Sequence, residues 1–245
     1  MNLAVFDLET NGYAGSSVLS ASSIVLDGAG RILDFFNRFY LPTEPFNARL
    51  FRIHGLTPER ILALRERIPS PPHFIEDWPD LMDFWARYEV GGIVIHNARF
   101  DLAFLPEMAQ DSMRCWCSMQ GLTDLCALPQ RTGARGGGYK WPRLQEAVDI
   151  VCNGPSALAP TEAARRAEEA VGACSAHVSL ADCFELYRVT VRIQAHHPGW
   201  MRFEPLRLPF RIPGGKPYRI DAQPRHDGFT VGLLKLEQRL RLVLA

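Results

Sequence analysis

No net charge marks this 245-residue chain: 27 Lys and Arg balance 27 Asp and Glu. Neutrality argues against a long basic surface for tight, nonspecific duplex binding. No apolar run approaches the roughly 20 residues that a membrane-spanning helix needs. The chain opens directly on an apolar, strand-like segment rather than on a leader, so a cytoplasmic location is the expectation. The six cysteines lack paired Cys-x-x-Cys spacing. Cys115 and Cys117 have no second pair to complete a zinc site, and the set reads as reduced, mostly buried small residues. The apolar content, 47%, is ample for a sizeable core.

Against that background two acids stand out. Leu3-Ala-Val-Phe-Asp7-Leu8-Glu9-Thr10 is an apolar run ending in carboxylates two residues apart. Residues i and i+2 of a strand share a face, so Asp7 and Glu9 project together from the end of a buried strand. Two like charges that close are costly unless a cation neutralises them. Carboxylate oxygens suit Mg²⁺ or Mn²⁺. Taken alone, the segment also reads as a strand running out into the polar turn Asn11-Gly12.

Two further segments carry acids. Residues 92–105 read as a short apolar strand running into a helix, with Asn97 as N-cap and Asp101 in the first turns. The macrodipole also favours an acid there. His177-Val-Ser179-Leu-Ala-Asp182 leads into a second helical pattern. Ser179 and Asp182 have the spacing of a capping pair, and His177 also reads as an ordinary loop histidine.

Together these segments resemble the DnaQ-like, DEDDh family of 3′–5′ exonucleases. Phe6-Asp-Leu-Glu-Thr10 resembles its first motif, His96-Asn-Ala-Arg-Phe-Asp101 its second, and His177 with Asp182 its third. His54-Gly-Leu56-Thr57 is similar to a further signature between the first two. Order and spacing agree, and the resemblance spans about residues 1–195. A tyrosine-type relative would carry Tyr four residues before the last acid; Val178 stands there, and His177 sits where the histidine type wants it.

The resemblance implies a metal-dependent 3′–5′ exonuclease that releases nucleoside 5′-monophosphates, with DNA preferred over RNA. Asp7, Glu9, Asp101 and Asp182 would hold two divalent ions, Mg²⁺ or Mn²⁺, around a phosphodiester. His177 would take the proton from the attacking water, its ordinary pKa suiting neutral pH. Leu8, Thr10, His54, Leu56, Asn97 and Phe100 are the candidate substrate contacts. For Phe100 the alternative is core packing, and for Leu56 a loop anchor. The expected partner is a single-stranded or frayed 3′ end, with a polymerase or another protein as a further candidate. The alternatives are an RNA-trimming enzyme of oligoribonuclease or ribonuclease T type, or a non-catalytic polymerase-associated nucleic-acid-binding module. A binding module would be free to lose one of the five catalytic positions; here all five are present.

Residues 2–8, 18–26 and 32–40 read as strands, the last two joined by a hairpin-type turn at 27–30. Further strands are expected at 93–96 and 113–116. Helices are expected at 58–64, 77–88, 98–110, 118–127, 142–151, 161–171, 179–195 and 231–243. Trp78, Leu81, Met82 and Trp85 lie at helical spacing and read as core. Three antiparallel-capable strands followed by strand–helix alternation fit an α/β fold of ribonuclease H type: a mixed sheet flanked by helices. The expected division is a catalytic domain over 1–195 and a small C-terminal extension over 196–245.

Two segments fall outside the motifs. Residues 130–140 are glycine-rich and carry Arg131, Arg135 and Lys140. No Gly-Lys-Ser/Thr follows, so this is no P-loop. It reads as a solvated connection, or as cations that reach a substrate backbone. Residues 197–245 carry nine Lys and Arg against four Asp and Glu. That excess suggests added affinity for nucleic acid. The leucines of 231–243, at near-helical spacing, offer the rival reading of a helix that closes the core.

Overall fold

The computed structural model describes residues 1–130, 138–172, 178–216 and 218–244. Strands β1 (Asn2–Thr10), β2 (Val18–Leu26), β3 (Ile32–Phe39), β4 (Val90–Ile95) and β5 (Cys115–Cys117) form one sheet in the order β3-β2-β1-β4-β5. β1, β2 and β3 pair antiparallel; β4 joins β1, and β5 joins β4, in parallel. The parallel joins fall where strand and helix alternate in the sequence, because a parallel return needs a crossover.

Helices α1 (Phe51–His54), α2 (Pro58–Arg65) and α3 (Phe74–Arg87) lie between β3 and β4. α4 (Ala98–Asp101) and α5 (Glu107–Asp111) lie between β4 and β5. α6 (Ser118–Gly121), α7 (Thr123–Cys126), α8 (Leu144–Val148), α9 (Glu162–Val171), α10 (Ser179–His196) and α11 (Gly228–Leu244) follow.

β1 is covered on both faces, as its unbroken apolar run requires. Alternation divides its side chains. Leu3 and Val5 join one core with α10, while Ala4, Phe6 and Leu8 join another with α3. In the second core Phe6 meets Trp85 edge-on, ring centroids 5.2 Å apart, and the Trp85 indole N–H donates to Ser23 Oγ at 2.9 Å. The α3 stripe is thus core packing.

Several elements depart from the sequence pattern. The helix expected over 98–110 is broken into α4, a 3₁₀ turn at Leu102–Phe104 and α5. Pro106 stands at the N-cap of α5, since proline cannot continue a preceding helix. The helix expected over 118–127 divides at Leu122, and that over 142–151 ends in a wider π turn, Asp149–Asn153. Residues 218–222 alternate Tyr218, Ile220 and Ala222 with polar residues as a strand would, yet form none. Prolines at 217 and 224 flank them and remove ladder donors.

Beyond α10 the chain wraps the sheet. Glu204 exchanges both backbone hydrogen bonds with Cys115, at 2.9 and 3.0 Å, and so extends the sheet past β5. The buried carboxamide of Gln110 grips Leu208 twice: Nε2 donates to its carbonyl at 3.0 Å, and Oε1 accepts its N–H at 2.7 Å. α11 then packs on α9, α2 and β3. Leu233, Leu236 and Leu240 enter the core that holds Leu3 and Val5. Ahead of them, the Phe229 ring lies against Gly55, whose φ of +71° and lack of a Cβ both suit this close approach.

Leu240 is 0% exposed. Leu240→Ala should cost about 2–5 kcal/mol, the range for a large-to-small core change. The measurement is the urea unfolding midpoint, and an unchanged midpoint would mean that α11 docks without stabilising the sheet.

Candidate active site

The parity of β1 places Asp7 and Glu9 on the face of Leu3 and Val5, the face that α10 covers. α10 brings Asp182 to them. One carboxylate oxygen from each of Asp7, Glu9 and Asp182 can be chosen so that all three lie within 4.8 Å of one another. Opposite ligands of one Mg²⁺ ion stand about 4 Å apart, from a metal–oxygen distance near 2.1 Å. The three acids are half-buried and offer hard oxygen donors, so spacing and chemistry both fit a divalent cation.

Asp101, the last residue of α4, reaches the same region. It is 2% exposed, and its Oδ1 accepts the backbone N–H of Leu8, between the two β1 acids, at 3.1 Å. Burial pushes the Asp101 carboxyl up to about 8; the Asp182 charge adds to this, and the Leu8 N–H opposes it. Burial also holds Asp7 well above the usual carboxylate range, with further contributions from Asp101, Asp182 and Glu9. Glu9 is raised by burial first, then by Asp182 and Asp101.

The other sequence candidates are placed as follows. His54 is 2% exposed, and its Nδ1 accepts the Leu56 N–H at 3.0 Å. The neutral ring therefore carries its proton on Nε2. Burial lowers its pKa to about 4, and Nε2 has no partner among the described residues. Leu8 and Leu56 are buried in the two cores. The Thr10 hydroxyl donates to the Gly12 carbonyl at 2.8 Å. Asn97 is exposed in a left-handed conformation, φ +69°, and its side chain caps nothing. Phe100 is half-buried against Phe104, centroids 5.3 Å apart. His177, Arg131 and Arg135 lie outside the described residues. Lys140 pairs with Glu146 at 2.6 Å.

Serines outside every motif stand beside the acids. Ser22 stands opposite Asp7 and Ser20 opposite Glu9 in the β1–β2 register. Both are fully buried and bond to Ser179 Oγ, at 2.7 and 2.8 Å. Ser179 is therefore the first residue of α10, not a cap; the N-cap is Val178. The available signal was a cluster of small polar residues inside an otherwise apolar central strand.

The raised carboxyls have a consequence for stability. Asp7, Glu9 and Asp101 hold protons in the folded protein at pH values where the unfolded chain, with Asp near 3.9, has released them. Their contribution is therefore most favourable below about pH 4 and falls as pH rises toward 8. The metal-free melting temperature should drop between pH 5 and pH 8 by less in Asp101→Asn than in the parent. Mn²⁺ at pH 8 should restore it, since a ligand of the folded state alone is stabilising. Identical pH dependence in parent and variant would overturn this account.

No family model matches the chain. Among curated proteins, the PolC-type DNA polymerase III of Bacillus cereus is 27% identical over 107 residues, covering 41% of this chain but only 6% of that protein. Among solved structures, a full-length 3′-exonuclease superposes with a TM-score of 0.50 at 13% identity, covering 91% of this chain and 98% of its own. Exonuclease I from Methylocaldum szegediense gives 0.52 at 16% identity, covering 82% of this chain and 42% of its own. E. coli Exonuclease I in complex with a dA16 oligonucleotide gives 0.50 at 15% identity, with the same coverage of 82% and 42%. The chain has the ribonuclease H-like α/β fold of these exonucleases.

Proposed function

We propose that this protein is a metal-dependent 3′–5′ exonuclease that releases nucleoside 5′-monophosphates from single-stranded or frayed 3′ ends, preferring DNA. The observation that carries the reading is the meeting of Asp7, Glu9 and Asp182 within 4.8 Å, with Asp101 held against Leu8 between them. The complex of Exonuclease I with a dA16 oligonucleotide supports the choice of substrate.

In this reading Asp7, Glu9, Asp101 and Asp182 would hold two Mg²⁺ or Mn²⁺ ions, whose chemistry would be Lewis-acid polarisation of the phosphodiester and acidification of the attacking water. The Leu8 N–H fixes the Asp101 carboxylate. His177 accepts the proton of the attacking water. The His54 Nε2–H, a buried donor without a partner among the described residues, supplies a hydrogen bond to the terminal nucleotide. Leu8, Thr10, Leu56, Asn97 and Phe100 shape its surroundings. Residues 1–195 are the catalytic domain and 196–245 its extension, with a polymerase or another protein as a further partner. A cytoplasmic location goes with this reading. Among the described residues no helix is long and apolar enough to cross a membrane, and the five described cysteines are free thiols.

The test is incubation with end-labelled single-stranded DNA, duplex DNA with a mismatched 3′ end, and RNA, each with Mg²⁺ or Mn²⁺. Stepwise shortening of the DNA substrates from the 3′ end is expected. Faster loss of RNA would favour the RNA-trimming alternative, and binding without cleavage the non-catalytic module. Asp7→Ala should abolish metal-dependent cleavage. His177→Ala should cut turnover by about 10²–10⁴-fold, the range for a lost general base. An unchanged rate would assign the base elsewhere.

The extension contributes charge. Arg211, Lys216 and Arg219 are exposed and form no ion pair among the described residues. Reversing all three should weaken binding of a long oligonucleotide. The slope of log affinity against log salt should fall by about 2, at roughly 0.7 per single-strand phosphate contact. Equal slopes for parent and variant would remove the extension from substrate binding.

A further inference from the structure

A buried chain of hydrogen bonds joins the C-terminal helix to the helix that carries Asp182. Asn37 Nδ2 on β3 donates to Glu237 Oε1 on α11 at 2.6 Å. Ser22 Oγ on β2 donates to Asn37 Oδ1 at 2.7 Å. Ser22 has then spent its only proton, so its 2.7 Å contact with Ser179 has Ser179 as donor. Ser179 has likewise spent its proton, so Ser20 is the donor in the 2.8 Å contact between them. The order runs one way: Ser20 to Ser179 to Ser22 to Asn37 to Glu237. Ser20, Ser22 and Ser179 are 0% exposed, Asn37 5% and Glu237 6%.

The chain has one consistent polarity. Glu237 ends it with a carboxylate, 3.8 Å from the Arg67 guanidinium. A flipped Asn37 amide would turn its oxygen on that carboxylate, so the negative end fixes the direction of every bond before it. At the other end, Ser20 and Ser22 are the register partners of Glu9 and Asp7. Ser179 stands one turn before Asp182, whose N–H donates to Val178 O at 3.0 Å. α10 has no side-chain N-cap. Its first turn is instead tied to β2 by Ser179 and by the Cys183 thiol, which donates to Ser22 O at 3.1 Å.

We propose that Ser179 is a positioning residue and that the C-terminal helix, through Glu237 and Asn37, sets where Asp182 stands relative to Asp7 and Glu9. The reaction so supported is the exonuclease reading above; the positioning is measured by cation binding alone. It gives the extension a role in the site without any contact to substrate.

The experiment uses the full chain with Ser179→Ala, Glu237→Ala and Glu237→Gln. Leu81→Ala serves as control, because Leu81 lies in α3 in the other core. Mn²⁺ affinity is read by calorimetry, melting temperature by circular dichroism, and kcat and KM on a short oligonucleotide. Ser179→Ala and Glu237→Ala should weaken Mn²⁺ binding by about 10–100-fold, the range for losing a group that orients a metal ligand. They should lower kcat more than they raise KM. Glu237→Gln keeps an acceptor for Asn37 and should retain most of the affinity. Leu81→Ala should lower the melting temperature and leave Mn²⁺ affinity unchanged. Parent-like affinity in both alanine variants would overturn the proposal, as would an equal loss in Leu81→Ala. If the parent binds Mn²⁺ but cleaves nothing, the exonuclease reading fails, and the relay is judged on the affinities.

Discussion

Mutual repulsion among carboxylates at the end of a buried strand is the constraint around which this structure is organised. Asp7 and Glu9 must share a face because of strand parity, and the face they share is the one α10 covers. Asp182 and Asp101 come to the same place. Burial and proximity both penalise the ionised forms, and raised proton affinity is the response. Such an arrangement persists where the surrounding structure holds it and bound protons offset the repulsion. The β1–β2–β3 hairpins supply the rigid floor, β4 delivers Asp101 in parallel, and α10 closes over the top.

The rest of the chain supports that closure. The residues after α10 contain little regular structure, so their backbone groups need partners elsewhere. Gln110 provides both bonds for Leu208, Cys115 both for Glu204, and Glu59 O accepts Arg225 N–H at 3.0 Å. These contacts route the extension around the sheet and deliver α11 to the face opposite α3. There it contacts two regions of the sheet and its covering. Phe229 packs on Gly55, beside His54, while Arg60 bonds the Gly55 carbonyl at 2.8 Å and pairs with Asp227 at 2.9 Å. Glu237 anchors the serine relay.

Many of the buried polar groups satisfy one another. His96 illustrates the point. Its ring spans Ser118 Oγ at 2.9 Å and the Pro142 carbonyl at 3.1 Å, so it serves as a neutral strut between β4 and the segment before α8. Burial lowers its pKa to about 4, which keeps it uncharged at neutral pH. His54 shares that burial but leaves Nε2 unpartnered among the described residues. It shares that state with Ser16 Oγ, Thr57 Oγ1 and Gln194 Oε1, and of the four only it and Thr57 Oγ1 belong to motif residues.

Local pattern determined a good deal by itself. The strand Val18–Leu26, the shared face of Asp7 and Glu9, the α3 core stripe and the existence of α10 and α11 all follow from periodicity, which depends only on neighbouring residues. Periodicity misses the helix breaks: the helix expected over 98–110 runs through Pro106, whose ring disfavours it, and the division at Leu122 has no such local mark. What periodicity does not carry is which distant segment meets a given face. That Asp182 reaches Asp7 across 175 positions of chain, that α11 joins the core of β1, and that Ser20, Ser22 and Ser179 form one relay were decided by tertiary packing. Such meetings depend on summed burial and hydrogen bonding over the whole molecule, and no stretch of sequence contains that sum.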